Sequence, residues 1–246
     1  MRRGRRRNWA VIGTLVLAFG RCGLAHTIYV DDDGPADFGT IQAAIDDAND
    51  GDTVIIRPGT YTGPGNRDIE FRGKAIRVTG ADPNDWDVVS RTVIDCEGTE
   101  NEPHRGFLFT TSEGPASVLS GVKITGGYAP SIPLEIYKKI VGGGICCNRS
   151  SPSILRCIIS GNLAQHGGGG LFTYDGHPTI RQCEFRSNIS FGTGGGGIDV
   201  YGGRIVLAGC SITGNWGYQG GGINAWVCTL LLDNCLIRHN ESQSWG

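Results

Sequence analysis

The chain has 246 residues, with 22 Lys and Arg against 24 Asp and Glu, and 41 glycines. Six of its arginines and none of its acids lie in residues 1–25, so the net charge moves from −2 for the whole chain to −8 for the remainder, which argues against a nucleic-acid partner. No long apolar run follows, so the remaining 221 residues predict no membrane span and suffice for one domain.

Residues 1–25 read as a signal peptide. Arg2, Arg3, Arg5, Arg6 and Arg7 make the basic start, Ala10 to Phe19 the apolar stretch, and Gly23-Leu24-Ala25 the small residues of a cleavage site. The expected location is therefore secreted or cell-surface. The folded domain is read over 26–246. Thr27 to Val30 form a first strand and Asp31 to Pro35 a turn. Ile41, Ala44, Ile45 and Ala48 then recur at helical spacing, with Thr40 as N-cap and Asn49 to Gly51 as the stop. A solenoid with an open end exposes both core and strand edges, so residues 26–52 are read as strand and capping helix.

Residues 53–141 read as irregular coils. The predicted strands are Thr53 to Ile56, Ile69 to Phe71, Ala75 to Thr79, Thr92 to Asp95, Gly106 to Thr110 and Val118 to Thr125, separated by turn signals such as Pro58-Gly59 and Asp82-Pro83-Asn84. Val122, Ile124 and Gly127 align with Cys157, Ile159 and Asn162 at a step of 35 residues, and the excess is placed in a loop at Ala129 to Lys139.

Residues 142–246 hold four repeats, the last incomplete. Each has a glycine run followed by an apolar residue (Ile145, Leu171, Ile198, Ile223), then a cysteine (Cys157, Cys183, Cys210, Cys235), then an asparagine (Asn162, Asn188, Asn215, Asn240). All three landmarks advance by 26, 27 and 25 residues. A fixed period this short predicts a solenoid in which no repeat buries its core alone. Each repeat is read as two strands, Ile198 to Tyr201 and Ile205 to Ile212 in the third, with a short side after the asparagine. The cysteines are expected as an inward stack of free thiols, the asparagines as a hydrogen-bonded ladder. A disulfide among Cys96, Cys146, Cys147 and Cys228 stays open, and no C-x-x-C spacing predicts zinc. After Asn240 only a few polar residues follow, so further repeats or a partner are expected to cover that end.

Several segments resemble a known group. Ile28-Tyr29-Val30-Asp31-Asp32-Asp33, Thr40 to Ile45, Gly51 to Ile56 and Pro58-Gly59-Thr60-Tyr61 look like the entry to right-handed parallel β-helix proteins of the pectin-lyase-like superfamily. The glycine runs, Pro178-Thr179-Ile180 and Ser160-Gly161-Asn162 are similar to exported repeat proteins of planctomycete-type bacteria, and Phe185-Arg186-Ser187-Asn188 to chlamydial polymorphic outer-membrane adhesins. The resemblance implies an all-β fold, a right-handed parallel β-helix with an N-terminal helical cap. It does not imply one function, because the superfamily holds pectate lyases, polygalacturonases, epimerases, tailspikes and non-catalytic adhesins. Such lyases hold Ca²⁺ on aspartates with an Arg or Lys as base; this sequence shows no such constellation.

The candidate site follows from strand alternation. If Ile145, Leu171, Ile198 and Ile223 point inward, then so do Cys147, Thr173, Val200 and Ala225, and the second and fourth residues of each strand face out. The fourth positions, Asn148, Tyr174, Tyr201 and Trp226, predict an exposed aromatic ladder, and the second add Asp199 and Asn224. Aromatic faces stack on sugar rings while amides and carboxylates bond hydroxyls, so Tyr174, Asp199, Tyr201, Asn224 and Trp226 are the expected polysaccharide or surface-ligand contacts. Stacked aromatics that only stabilise the strands are the plainer alternative. Asp175 and Asp199 are the acidic candidates on this face, one coil apart but at different strand positions, which does not favour shared metal ligation, and Arg204 and Lys123 have no partner that sequence can place. Asp31-Asp32-Asp33 offers oxygen ligands to a cation, or a solvated acidic turn. The expected protein is a non-catalytic binder with no metal and no cofactor. Its rivals are a polysaccharide lyase or hydrolase acting on uronate-containing glycans, with Ca²⁺ as the cofactor of the lyase, and a structural spacer.

Overall fold

The structure, a computed structural model, describes residues 24–130 and 141–244. The expected signal peptide, apart from its last two residues, and nearly all of the expected loop at Ala129 to Lys139 lie outside them.

The described chain is a parallel β-solenoid. In one repeat, Leu171–Tyr174 follows the glycine run, Thr179–Arg181 precedes the cysteine, Glu184–Arg186 follows it, and Ile189–Ser190 follows the asparagine. Each strand pairs in parallel with its counterpart one coil away. The result is four sheets: a glycine-run sheet of six strands, a pre-cysteine sheet of eight, a post-cysteine sheet of seven and a post-asparagine sheet of five. The register reproduces the sequence period, with Ile145 opposite Leu171, Leu171 opposite Ile198 and Ile198 opposite Ile223. The longer step also holds, since Ile124 pairs with Ile159.

The interior is one continuous column. Ile69, Phe107, Ile145, Leu171 and Ile198 of the glycine-run sheet are fully buried in it, as are Phe71 and Phe109, which pack on Phe107 with ring centroids 6.2 and 6.4 Å away. In the last described coil, inward residues are half open, with Leu232 48% and Ile237 44% exposed.

The stretch around each cysteine is a corner, not the single strand expected. Arg204–Ala208 and Ser211–Thr213 are separate strands that turn at Gly209, where φ is +63°. The residue before Cys157, Cys183 and Cys235 turns in the same left-handed way without being glycine: Arg156, Gln182 and Asn234 have φ of +50°, +52° and +50°. Val118 to Thr125 likewise breaks at Gly121. The cysteine serves the corner. Cys157, Cys183, Cys210 and Cys235 each donate Sγ–H to the carbonyl two residues back, at 3.3, 3.4, 3.6 and 3.5 Å. Burial pushes the Cys183 thiol well up and the Cys210 thiol up to about 11, which keeps the proton that donates. All eight described cysteines are free thiols.

The asparagines form the expected ladder. The Oδ1 of Asn188, Asn215 and Asn240 each accepts two bonds from the preceding asparagine, one from its backbone N and one from its Nδ2, at 2.9–3.1 Å. The Nδ2 of Asn162, Asn188, Asn215 and Asn240 also donates to a core-strand carbonyl: Ile124, Ile159, Phe185 and Ile212.

The glycine runs are explained by crowding. A Cβ on Gly169 would lie 2.5 Å from the carbonyl oxygens of both Gly196 and Ile189 and 2.6 Å from the Ile189 nitrogen. Those are backbone atoms that cannot step aside, so the run lets the main chain of one coil lie flat on the next.

The first helix, α1, is Ile41–Asp47, with Ile41, Ala44 and Ile45 buried in the column beside the first strand, Thr27–Val30. Thr40 occupies the N-cap position but its side chain makes no capping bond; the Ile41 nitrogen donates instead to Oδ1 of Asn66, at 3.0 Å, from the next coil. Lys74 closes the other end, its Nζ donating to the carbonyls of Ile45, Asp46 and Ala48 at 2.8, 2.8 and 2.7 Å. A second helix, α2, spans Trp86–Arg91, where the sequence reading has only a turn. Asp85 caps it by accepting from the nitrogens of Asp87 and Val88. At six residues it is too short for apolar periodicity to reveal.

Candidate functional site

The outer face of the glycine-run sheet carries two rows. Glu70, Leu108, Cys146, Phe172, Asp199 and Asn224 make one, in register across six coils. Asn148, Tyr174, Tyr201 and Trp226 make the other. The alternation expected from sequence is therefore the observed one, but exposure differs. Cys146, Phe172 and Tyr174 join Val141 in a small apolar cluster outside the column.

Tyr174 is the main correction. It is only 8% exposed and is not part of an open aromatic row. Its ring lies in that cluster, stacked on Tyr201 with centroids 5.6 Å apart and planes 18° from parallel, and the Arg149 guanidinium sits 5.8 Å from its centroid. Tyr201 and Trp226 are the open aromatics, at 37% and 57% exposure.

Asp199 also departs from expectation. It points out from the sheet yet is 4% exposed. Its Oδ1 accepts from Nδ2 of Asn224 at 2.7 Å, and Asn224 is its one hydrogen-bond partner among the described residues. Burial pushes the carboxyl up to about 7, against the lowering effect of the Asn224 bond. Asn224 also approaches Oε1 of Gln219, at 3.4 Å, so carboxyl and two amides form one polar row.

These residues meet in a cleft of about 220 Å³ lined by Phe172, Thr193, Asp199, Tyr201, Gln219, Asn224 and Trp226. Four of the five residues expected from sequence line it; Tyr174 lies behind, under Tyr201. Sequence reasoning missed Thr193 and Gln219. Thr193 stands directly before its glycine run, a position also held by His166, and that shared position was the available signal; Gln219 falls opposite Gly194, so no repeat position marked it. Asp175 is exposed in a left-handed corner, φ +47°, and does not line the cleft. Lys123 belongs to the post-cysteine sheet and Arg204 to the pre-cysteine sheet, so neither can act here. Among the described residues, no Lys, Arg or His lines this cleft.

Two other polar groupings lie outside this cleft. Asp68 accepts from the Arg105 nitrogen at 2.9 Å and lies 2.6 Å from Nδ1 of His104, tying a loop to the sheet. The carboxylates of Asp31, Asp32 and Asp33 lie within 4.8 Å of one another, and Asp31 pairs with Arg57 at 3.1 Å.

The sequence model of the right-handed beta helix region matches residues 143–244. With every sheet parallel and each strand paired one coil on, that match decides the handedness. The described chain folds as a right-handed parallel β-helix. Among curated proteins, none matches this β-helix protein significantly. No helix of the described residues is long and apolar enough to cross a membrane.

Proposed function

We propose that this β-helix protein is an exported surface or extracellular protein of the pectin-lyase-like, planctomycete-type kind, and that it binds polysaccharide on the outer face of its glycine-run sheet. Asp199, Tyr201, Asn224 and Trp226 are the contact residues, and Tyr174 supports Tyr201 from below. The observation that carries this reading is the cleft, where two open aromatic rings flank a row of one carboxyl and two amides. Apolar walls with a few convergent polar groups are the usual make-up of a small-ligand site. Export rests on the arginine-rich start and apolar stretch of residues 1–25.

A lyase of the pectate-lyase type is the weaker reading. Its chemistry needs a base beside a cation-bound uronate, and no basic side chain among the described residues lines the cleft. The test is affinity electrophoresis through gels of neutral glycans and of polyuronates. At least one glycan is expected to retard the protein, and the Tyr201→Ala/Trp226→Ala variant, folded by circular dichroism, is expected to lose about tenfold in affinity per ring. Release of unsaturated uronates would replace this reading with a lyase. Migration unaffected by every glycan would leave a spacer.

A further inference from the structure

Resting on the polysaccharide reading, we infer that the cleft takes one uncharged sugar ring and discriminates against uronate rings. Size and chemistry both point there. A volume of about 220 Å³ lies below the roughly 300–1,000 Å³ of pockets for drug-sized ligands, which suits a single ring. The open aromatic surface has the same extent. Tyr201 and Trp226 sit on adjacent coils, a strand spacing of about 4.8 Å apart, and the row goes no further because Tyr174 is covered.

The polar groups set the charge. Asn224 and Gln219 supply amides and Thr193 a hydroxyl, groups that both donate to and accept from sugar hydroxyls. The buried Asp199 carboxyl has a bond at Oδ1 only, so its other oxygen is left for a ligand. Raised to about 7, the carboxyl is largely uncharged in mildly acidic solution and can donate as well as accept. A uronate carboxylate in the same space would gain no cation from the described lining, and once Asp199 ionises above about pH 7 it would meet a like charge beside it. Arg149, the cation beside this row, lies over the Tyr174 ring and not in the cleft.

The test uses ligand pairs that differ only at C6: α-1,4-galactotriose against α-1,4-trigalacturonate, and cellotriose against its glucuronate counterpart. The full chain is titrated calorimetrically at about pH 8, where Asp199 is ionised, with each, beside Trp226→Ala and Asp199→Asn. In at least one pair the neutral member is expected to bind at least tenfold tighter than the uronate. Trp226→Ala should abolish that binding, and Asp199→Asn should narrow the gap several-fold. Equal or tighter Trp226-dependent binding of the uronate would overturn this inference and leave the polysaccharide reading standing. Absence of Trp226-dependent binding by either pair would overturn both.

Discussion

Asn188→Ala is expected to destabilise the protein by about 4 kcal/mol, because four buried partners lose a bond at once. The Asn188 side chain accepts from the nitrogen and Nδ2 of Asn162 at 3.1 Å each, and donates to the carbonyl of Ile159 at 2.9 Å and to Oδ1 of Asn215 at 3.0 Å. Asn188 is fully buried, so water cannot replace those bonds. Each stranded buried polar group costs about 1–3 kcal/mol, and relaxation around the gap keeps the sum toward the lower end. Asn188→Asp should be no milder, since it loses the donor and places a second oxygen against the Ile159 carbonyl. Asn240→Ala is the internal control: Asn240 is half-buried, and its loss should cost about 1 kcal/mol. Denaturant unfolding of the three variants measures the difference. Equal, small losses for Asn188→Ala and Asn240→Ala would mean that the ladder does not carry the stability assigned to it.

Asp199→Asn is expected to stabilise the protein at pH 8 and to leave it nearly unchanged at pH 4. The folded carboxyl titrates at about 7, above its ordinary value of 3.8, because burial disfavours its charged form. A raised folded value means that the contribution of Asp199 is full below about 3.8 and is lost as pH climbs through about 7. At about 1.4 kcal/mol per pH unit, that interval corresponds to an upper figure of about 4 kcal/mol. The asparagine keeps an oxygen for Asn224 and carries no charge, so its stability should not fall across the interval. Melting curves of both proteins between pH 4 and pH 8 should diverge, with the variant several degrees higher at pH 8. Parallel curves would show that the Asp199 carboxyl is solvated and that the cleft is wetter than described. The same desolvation that costs stability makes this position a candidate for function, since strained electrostatics gather at sites.

Much of the architecture was legible because the repeat samples one environment several times. Three landmarks advancing by the same steps identified the coil, and Ile145, Leu171, Ile198 and Ile223 pair as their alignment predicts. Features that occur once were harder. The helix at Trp86–Arg91 and the cap that Asn66 gives to Ile41 depend on contacts that no period announces. The corner at the cysteine was read as continuous strand because apolar residues stand on both sides of it and because Arg156 and Gln182 do not usually mark a left-handed turn, although Gly209 and Asn234 do. At the candidate site, alternation placed Asp199, Tyr201, Asn224 and Trp226 on one outer face. It could not tell an outward residue from an exposed one. Cys146, Phe172 and Tyr174 face out and are still buried, packed with Val141 in one apolar cluster.

The most direct measurement of whether ligand recognition sits on the glycine-run sheet follows the tryptophan indole N–H signals during titration with a retained glycan. Trp226 lies in the cleft, while Trp86 begins α2 and Trp216 belongs to the post-asparagine sheet. Assignment by Trp226→Phe, Trp86→Phe and Trp216→Phe identifies these three of the five tryptophan signals. The Trp226 signal is predicted to move saturably while those of Trp86 and Trp216 stay in place. A saturable shift at Trp86 or Trp216 with Trp226 unmoved would put recognition on another face and contradict the account.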